Sequence, residues 1–80
     1  MNFSEAFKAL KEGKKIKLKS WDGYWEKTKD VYSRDGKDTV YMHCKDGRVL
    51  DIRETQDVMF TLGNIASDEW QIVEVEFLNK

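Results

Sequence analysis

KIKLKSWDGYWEKTKDVYSRDGKDTVYMHCKDGRVLDIR, residues 15–53, decides the fold, because Asp-Gly recurs in it at Asp22-Gly23, Asp35-Gly36 and Asp46-Gly47. Asp-Gly tolerates the positive φ angles of a tight hairpin turn, so three such pairs between β-prone runs predict four strands in an antiparallel meander. Lys15 to Lys19 alternates strictly, which turns Ile16 and Leu18 inward and three lysines outward. That basic row reads either as a solvated face that discourages edge aggregation or as a phosphate contact. Tyr24 to Ser33 is a less regular strand, interrupted by Glu26-Lys27-Thr28-Lys29-Asp30 at a bulge or loop. Thr39 to Cys44 and Arg48 to Arg53 complete the meander.

The register of the last hairpin follows from burial. A two-residue Asp46-Gly47 loop pairs Met42 with Asp51 and Val40 with Arg53, which mixes charge into one face. A three-residue Lys45-Asp46-Gly47 loop pairs Met42 with Leu50 and Val40 with Ile52. Because side chains alternate with a period of two, this one-residue slip decides which set is buried. The longer loop, with Gly47 in a bulge, gives a core face of Val40, Met42, Cys44, Leu50 and Ile52. It leaves Tyr41, His43, Val49, Asp51 and Arg53 on the other face, a mixture of aromatic, cationic and anionic groups suited to a subunit interface or a polar ligand.

Outward from this stretch, Asn2 to Glu12 spaces Phe3, Ala6, Phe7 and Leu10 helically, with Asn2 as cap, Glu5 completing a capping box and Gly13 ending the helix. On the other side, Thr55 to Leu62 reads as a second short helix with Thr55 as a cap and Gly63-Asn64 as its end. Trp70 to Phe77 is a final strand apolar on both faces, so it belongs at the centre of the sheet or under a neighbouring subunit. The expected fold is α+β: an N-terminal helix on a twisted antiparallel sheet of about five strands, with a second short helix before the last strand.

Eighty residues fit a single domain spanning 1–80, and a chain of this size buries only about 60 to 65% of the surface it exposes when unfolded. A single cysteine, Cys44, excludes an internal disulfide and a Cys cluster for zinc, so self-association is the remaining way to stabilise so small a core. Fourteen Lys and Arg against fifteen Asp and Glu leave a net charge of −1, and no overall field draws the chain to duplex nucleic acid or to anionic lipid. The absence of an apolar membrane-spanning run and of a signal core points to an intracellular protein without a membrane partner.

Residues for catalysis are sparse. His43 and Cys44 are adjacent, so on a strand they point to opposite faces and do not pair as base and nucleophile. Cys44 reads as core, and His43 as a half-buried surface histidine with no second His to share a metal. No phosphate-cradling glycine loop, nucleophile elbow or calcium loop is present, so the chain is expected to be no enzyme and to hold no metal or cofactor. Binding is better served: aromatic faces stack on nucleobases for about 1–3 kcal/mol each, so Trp21 and Trp25 with Arg53 suit a small nucleotide pocket. The competing reading is that both tryptophans plug the end of the sheet.

Both ends of the chain carry a resemblance. The opening Met1-Asn2-Phe3-Ser4-Glu5-Ala6-Phe7-Lys8-Ala9-Leu10-Lys11-Glu12-Gly13-Lys14-Lys15, the basic strand and Trp21-Asp22-Gly23 resemble a small phage family that contains the second type of Thoeris anti-defence protein and a small anti-CRISPR protein. The late Thr55-Gln56-Asp57-Val58-Met59 and the run Ala66-Ser67-Asp68-Glu69-Trp70-Gln71-Ile72-Val73 resemble that family's closing segments. The resemblance implies a sponge in the host bacterial cytoplasm: a homodimer or homotetramer that sequesters a cyclic nucleotide-like defence signal, such as a cyclised ADP-ribose, without cleaving it. On that reading the purine stacks on Trp21 or Trp25, Arg53 pairs with phosphate, and Thr55 or Asp57 meets a ribose hydroxyl. The alternative is an antagonist that presents Tyr41, His43, Val49 and Asp51 to a host defence protein such as a Cas nuclease. The chain departs from the family's usual pattern in two places: Asp22 replaces an Asn in the turn, and the segment between Trp25 and Thr39 is short.

Overall fold

Four strands follow the meander that the Asp-Gly pairs predict, and a fifth joins at the far edge. The computed structural model describes residues 1–73. Strands β1 (Ile16–Leu18), β2 (Tyr24–Lys29), β3 (Asp38–His43), β4 (Val49–Asp51) and β5 (Trp70–Ile72) form one antiparallel sheet in the order β4-β3-β2-β1-β5. Helix α1 (Phe3–Lys11) precedes the sheet and α2 (Val58–Ile65) separates β4 from β5, which makes the fold α+β.

The last hairpin has the expected register, with Met42 opposite Leu50 and His43 opposite Val49. Gly47 sits at φ 92° within the three-residue loop, closed by Cys44 N–H donating to Arg48 O at 2.8 Å. Gly36 is also left-handed, at φ 69°. Gly23 is not; it is needed because a side chain there would overlap the His43 carbonyl, so the first Asp-Gly pair serves close strand packing rather than a tight turn. The pairing of Val40 with Ile52 does not form. Asp51 accepts from Arg53 N–H and Glu54 reaches back to the Asp51 N–H, and this reciprocal cap turns Ile52–Glu54 into a short 3-10 turn.

Other boundaries also move. Glu26 to Lys29, expected as an interruption, is regular strand, because each polar side chain has a cross-strand neighbour; Lys27 lies 3.7 Å from Asp38, for example. Val31 and Tyr32, expected in the strand, are exposed in the loop that follows it. The second helix starts at Val58 instead of Thr55, since Asp57 accepts from the Phe60 N–H and so provides the cap. Gly63 and Asn64 lie inside it. Strand β5 is at the edge of the sheet, paired on one side to β1, and not at its centre. The expected continuation through Val75 and Phe77 lies outside the described residues.

Helix α1 begins as its sequence predicts, with a full capping box between Asn2 and Glu5, and Gly13 follows it at φ 93°. Its buried stripe is Ala6, Ala9 and Leu10, while Phe7 stays exposed. This stripe covers Ile16, Leu18, Trp25 and Trp70, the same-face residues of β1, β2 and β5, which pair as Ile16 with Trp25 and Leu18 with Trp70. Across β3 and β4 the same face has no such cover among the described residues, where Val40, Met42 and Ile52 are only half-buried, as is Cys44, expected in the core. The uneven cover of this face positions the site.

Candidate functional site

Where α1 stops covering the sheet, a hollow of about 480 Å3 opens, lined by Trp21 and Met42 together with Thr55 and, from α2, Phe60, Thr61 and Asn64. Its volume is in the range of small-ligand pockets, roughly 300–1,000 Å3. Trp21 is half-buried on the wall and tilted against Trp25, centroids 5.6 Å apart, and edge-on to Trp70 at 5.4 Å. These contacts fix its ring in place. Trp25 borders the hollow too but is 5% exposed and packs among Phe3, Trp21 and Trp70, so Trp21 has the aromatic surface left for a ligand.

The residues predicted for ligand binding separate. Trp21, Trp25 and Thr55 share the hollow, Arg53 lines a second hollow on the other face of the sheet, and Asp57 caps α2. Thr55 Oγ1 lies 2.9 Å from Thr61 Oγ1, which ties the segment before α2 to the helix itself. Sequence reasoning missed Met42, Lys45, Phe60, Thr61 and Asn64. The uncharged run Val58–Ile65 was a visible signal for Phe60, whereas nothing local marks Lys45. Its ammonium stands 3.5 Å from the Asp22 carboxylate, and both side chains are mostly exposed, so the pair is weak and free to exchange for an anionic group.

Arg53 is held differently. Its Nη2 and Nε donate to Asp51 at 2.6 and 3.0 Å and its Nη1 donates to Asp30 at 2.9 Å, while Thr39 also donates to Asp51. Drawing Arg53 away would leave two carboxylates with little solvent unpaired. The guanidinium holds the Asp51 carboxyl down at about 2 and also lowers that of Asp30. Because an unfolded Asp protonates near 3.9, the unfolded chain takes up these protons first as pH falls. The stabilisation is therefore complete above about pH 4 and is lost towards pH 2. Urea unfolding at pH 6 and pH 2.5 checks this: Asp51→Asn should be less stable than the parent at pH 6 and show a smaller drop between the two pH values.

The second hollow, of about 440 Å3, is lined by Asp30, Tyr32, Tyr41, Val49, Asp51 and Arg53 together with Glu54. Of the predicted interface residues, Tyr41, Val49 and Asp51 line it. His43 is on the same sheet face beside them, with its ring stacked on Tyr24 at 4.4 Å. His43 Nε2 is 2.8 Å from Glu26 Oε1 but out of line for a hydrogen bond. Among the described residues, no group of three or more His, Cys, Asp or Glu is placed to hold a metal, and no helix is long and apolar enough to cross a membrane.

An aromatic hollow at the Trp21 turn, on an α+β frame opened by a capped helix, accompanies a match to a known family over residues 1–73, the Thoeris anti-defense 2-like domain. The chain belongs to the Tad2-like family. Membership supports a role in Thoeris anti-defence, and the match takes in both hollows, α2 and β5. No curated protein matches the chain.

Proposed function

We propose that the protein sequesters a cyclic nucleotide-like defence signal, such as a cyclic ADP-ribose isomer, in the Trp21 hollow without cleaving it. The observation that carries this reading is the half-buried Trp21 ring, fixed by Trp25 and Trp70, on the wall of a ligand-sized hollow in a Tad2-like chain. The base lies against Trp21, the Thr55 hydroxyl meets a ribose hydroxyl, and a phosphate exchanges with Asp22 for Lys45. Arg53, which the sequence made the phosphate partner, stays in its own carboxylate clamp. The protein acts in the host bacterial cytoplasm as a homodimer or homotetramer, with binding alone removing the signal. Light scattering gives the oligomeric state directly.

Calorimetric titration with a panel of cyclic nucleotides and cyclic ADP-ribose isomers tests the reading. Stacking of a base contributes about 1–3 kcal/mol, so Trp21→Ala is expected to weaken binding by roughly 10- to 100-fold, with the ligand recovered intact from the unmutated protein. Absence of heat with every ligand would overturn it.

The second hollow supports a different reading, direct docking of Tyr41, His43, Val49 and Asp51 on a host defence protein such as a Cas nuclease, because Tyr32 stands 89% exposed at its rim beside an exposed Val49. Co-elution with such a protein, undiminished by Trp21→Ala, would favour it.

A further inference from the structure

Helix α2 is placed against a hollow without being packed into the core. None of its eight residues is buried, and Val58, Met59, Phe60 and Leu62 are all at least half exposed. Exposed single apolar residues are ordinary, but four on one uncharged helix are not. Phe60 is the unusual member, since it lines the hollow and is nevertheless 61% exposed. The last turn of the helix is the anchored part: the Asn64 carbonyl accepts from Trp70 Nε1 at 3.0 Å, and Ile65 packs against the core. Towards the first turn the ties are polar and local, the Asp57 cap and the Thr55–Thr61 hydroxyl pair. A helix fixed at its C-terminal end and loosely tied at its N-terminal end swings about the fixed end at little cost in packing, and Phe60 lies towards the loose end.

Trp21, which lines the same hollow, is the opposite case, a ring locked in orientation by two other tryptophans. We infer that Phe60 is the second plate of a clamp, and that α2 closes to hold a planar heteroaromatic ring between Phe60 and Trp21. This rests on the sequestration reading and adds the residue that selects for the base. Chemistry favours such an occupant. A flat ring between two aromatic side chains buries apolar surface on both faces, and Phe60 contributes it without a polar group that needs a partner. Thr55, Thr61 and Asn64, which line the hollow with Phe60, carry donors and acceptors suited to the edge of a base. Helix α2 carries no charge, and Lys45 is the only Lys or Arg lining the hollow among the described residues. The base therefore goes inward, between the plates, and the phosphate stays at the Lys45 side. Closure also removes an exposed Phe from water, so binding and burial of the plate reinforce one another.

The experiment compares the unmutated protein, Phe60→Ala and Phe60→Trp by calorimetry, with cyclic ADP-ribose and a cyclic dinucleotide as base-bearing probes and ribose 5-phosphate as a probe without a base. Hydrogen exchange of residues 58–62 is followed alongside. Phe60→Ala is expected to bind the base-bearing probe that the unmutated protein binds about 5- to 50-fold more weakly, with an unchanged melting temperature in the absence of ligand. Phe60→Trp should retain binding within about threefold, since it restores a plate. Exchange at 58–62 should slow on ligand addition. Equal affinity of Phe60→Ala and the unmutated protein, or unchanged exchange in the presence of bound ligand, overturns the clamp while leaving sequestration standing. Tighter binding of ribose 5-phosphate than of either base-bearing probe also overturns it. No binding of any base-bearing probe by the unmutated protein overturns both readings.

Discussion

Trp70→Ala is expected to destabilise the protein by about 3–5 kcal/mol, the usual cost of truncating a buried large aromatic. Trp70 is 2% exposed, with ring centroids 5.2 Å from Phe3, 5.4 Å from Trp21 and 5.2 Å from Trp25, so its removal leaves a cavity bordered by three other aromatics. The indole N–H donates to the Asn64 carbonyl, which fixes the end of α2, and the backbone of Trp70 exchanges two hydrogen bonds with Met1. Alanine keeps the backbone bonds and loses the rest. Natural domains have about 5–15 kcal/mol in all, and one this small is at the low end, so the variant is expected to be largely unfolded at 37 °C. Urea unfolding followed by far-UV circular dichroism measures the change. With a slope near 1 kcal/mol per molar urea, a midpoint shift below about 1 M would count against Trp70 as the centre of the core. Trp70→Phe should recover part of the loss by refilling the cavity, while the Asn64 carbonyl loses its indole donor and keeps the Ser67 N–H.

Gly23→Ala is the second large effect, and its cause is contact rather than conformation. The new methyl would overlap the His43 carbonyl oxygen and lie 3.4 Å from Cys44 Cα, all of them main-chain atoms that no rotamer change moves. Overpacking costs about 1–3 kcal/mol when side chains absorb it, and the rigid neighbours here place Gly23→Ala at or above the top of that range. The separation it enforces falls between Tyr24 and His43, a paired position of β2 and β3 and part of the lining of the Trp21 hollow. Ligand binding should therefore fall together with the melting temperature. A variant that melts within about 2 °C of the parent would contradict the close approach of these strands. Gly47 differs: nothing lies near its would-be side chain, but its φ of 92° strains any other residue.

The outer sheet face and the Trp21 hollow place two possible activities on opposite surfaces of one sheet. Variants at Tyr41 or Val49 should leave the Trp21 hollow untouched, since these residues line the second hollow and not the first, whereas His43 also borders the Trp21 hollow. Competition between a small molecule and a protein partner would require coupling through β2 and β3, whose residues alternate between the two faces.

By itself the sequence determined what depends on neighbours in the chain. Asn2, Glu5 and Gly13 specify both ends of α1, because capping involves residues three or four apart. Two of the three Asp-Gly pairs specify left-handed glycines, and side-chain period with burial specified the three-residue loop that sets Met42 opposite Leu50. The resemblance to the Thoeris anti-defence family was legible from residue order at the two ends, and the family match spans residues 1–73. Only the tertiary structure decided the rest. Asp51 and Glu54 end β4 early by capping each other, and Asp57 outcompetes Thr55 as the cap of α2 because the 3-10 turn has already taken Thr55 at its end. Trp21 and Trp25, alike in sequence, differ in role because α1 packs on Trp25 through Phe3 and buries it, while Trp21, although Trp70 touches both rings, stays half-buried. Arg53 is drawn to Asp30, twenty-three residues away, so its place outside the Trp21 hollow follows from a pairing that no local pattern announces. Lys45 and Phe60 meet at that hollow from separate loops and helices, because a site between elements is defined by distances in space that sequence spacing does not contain.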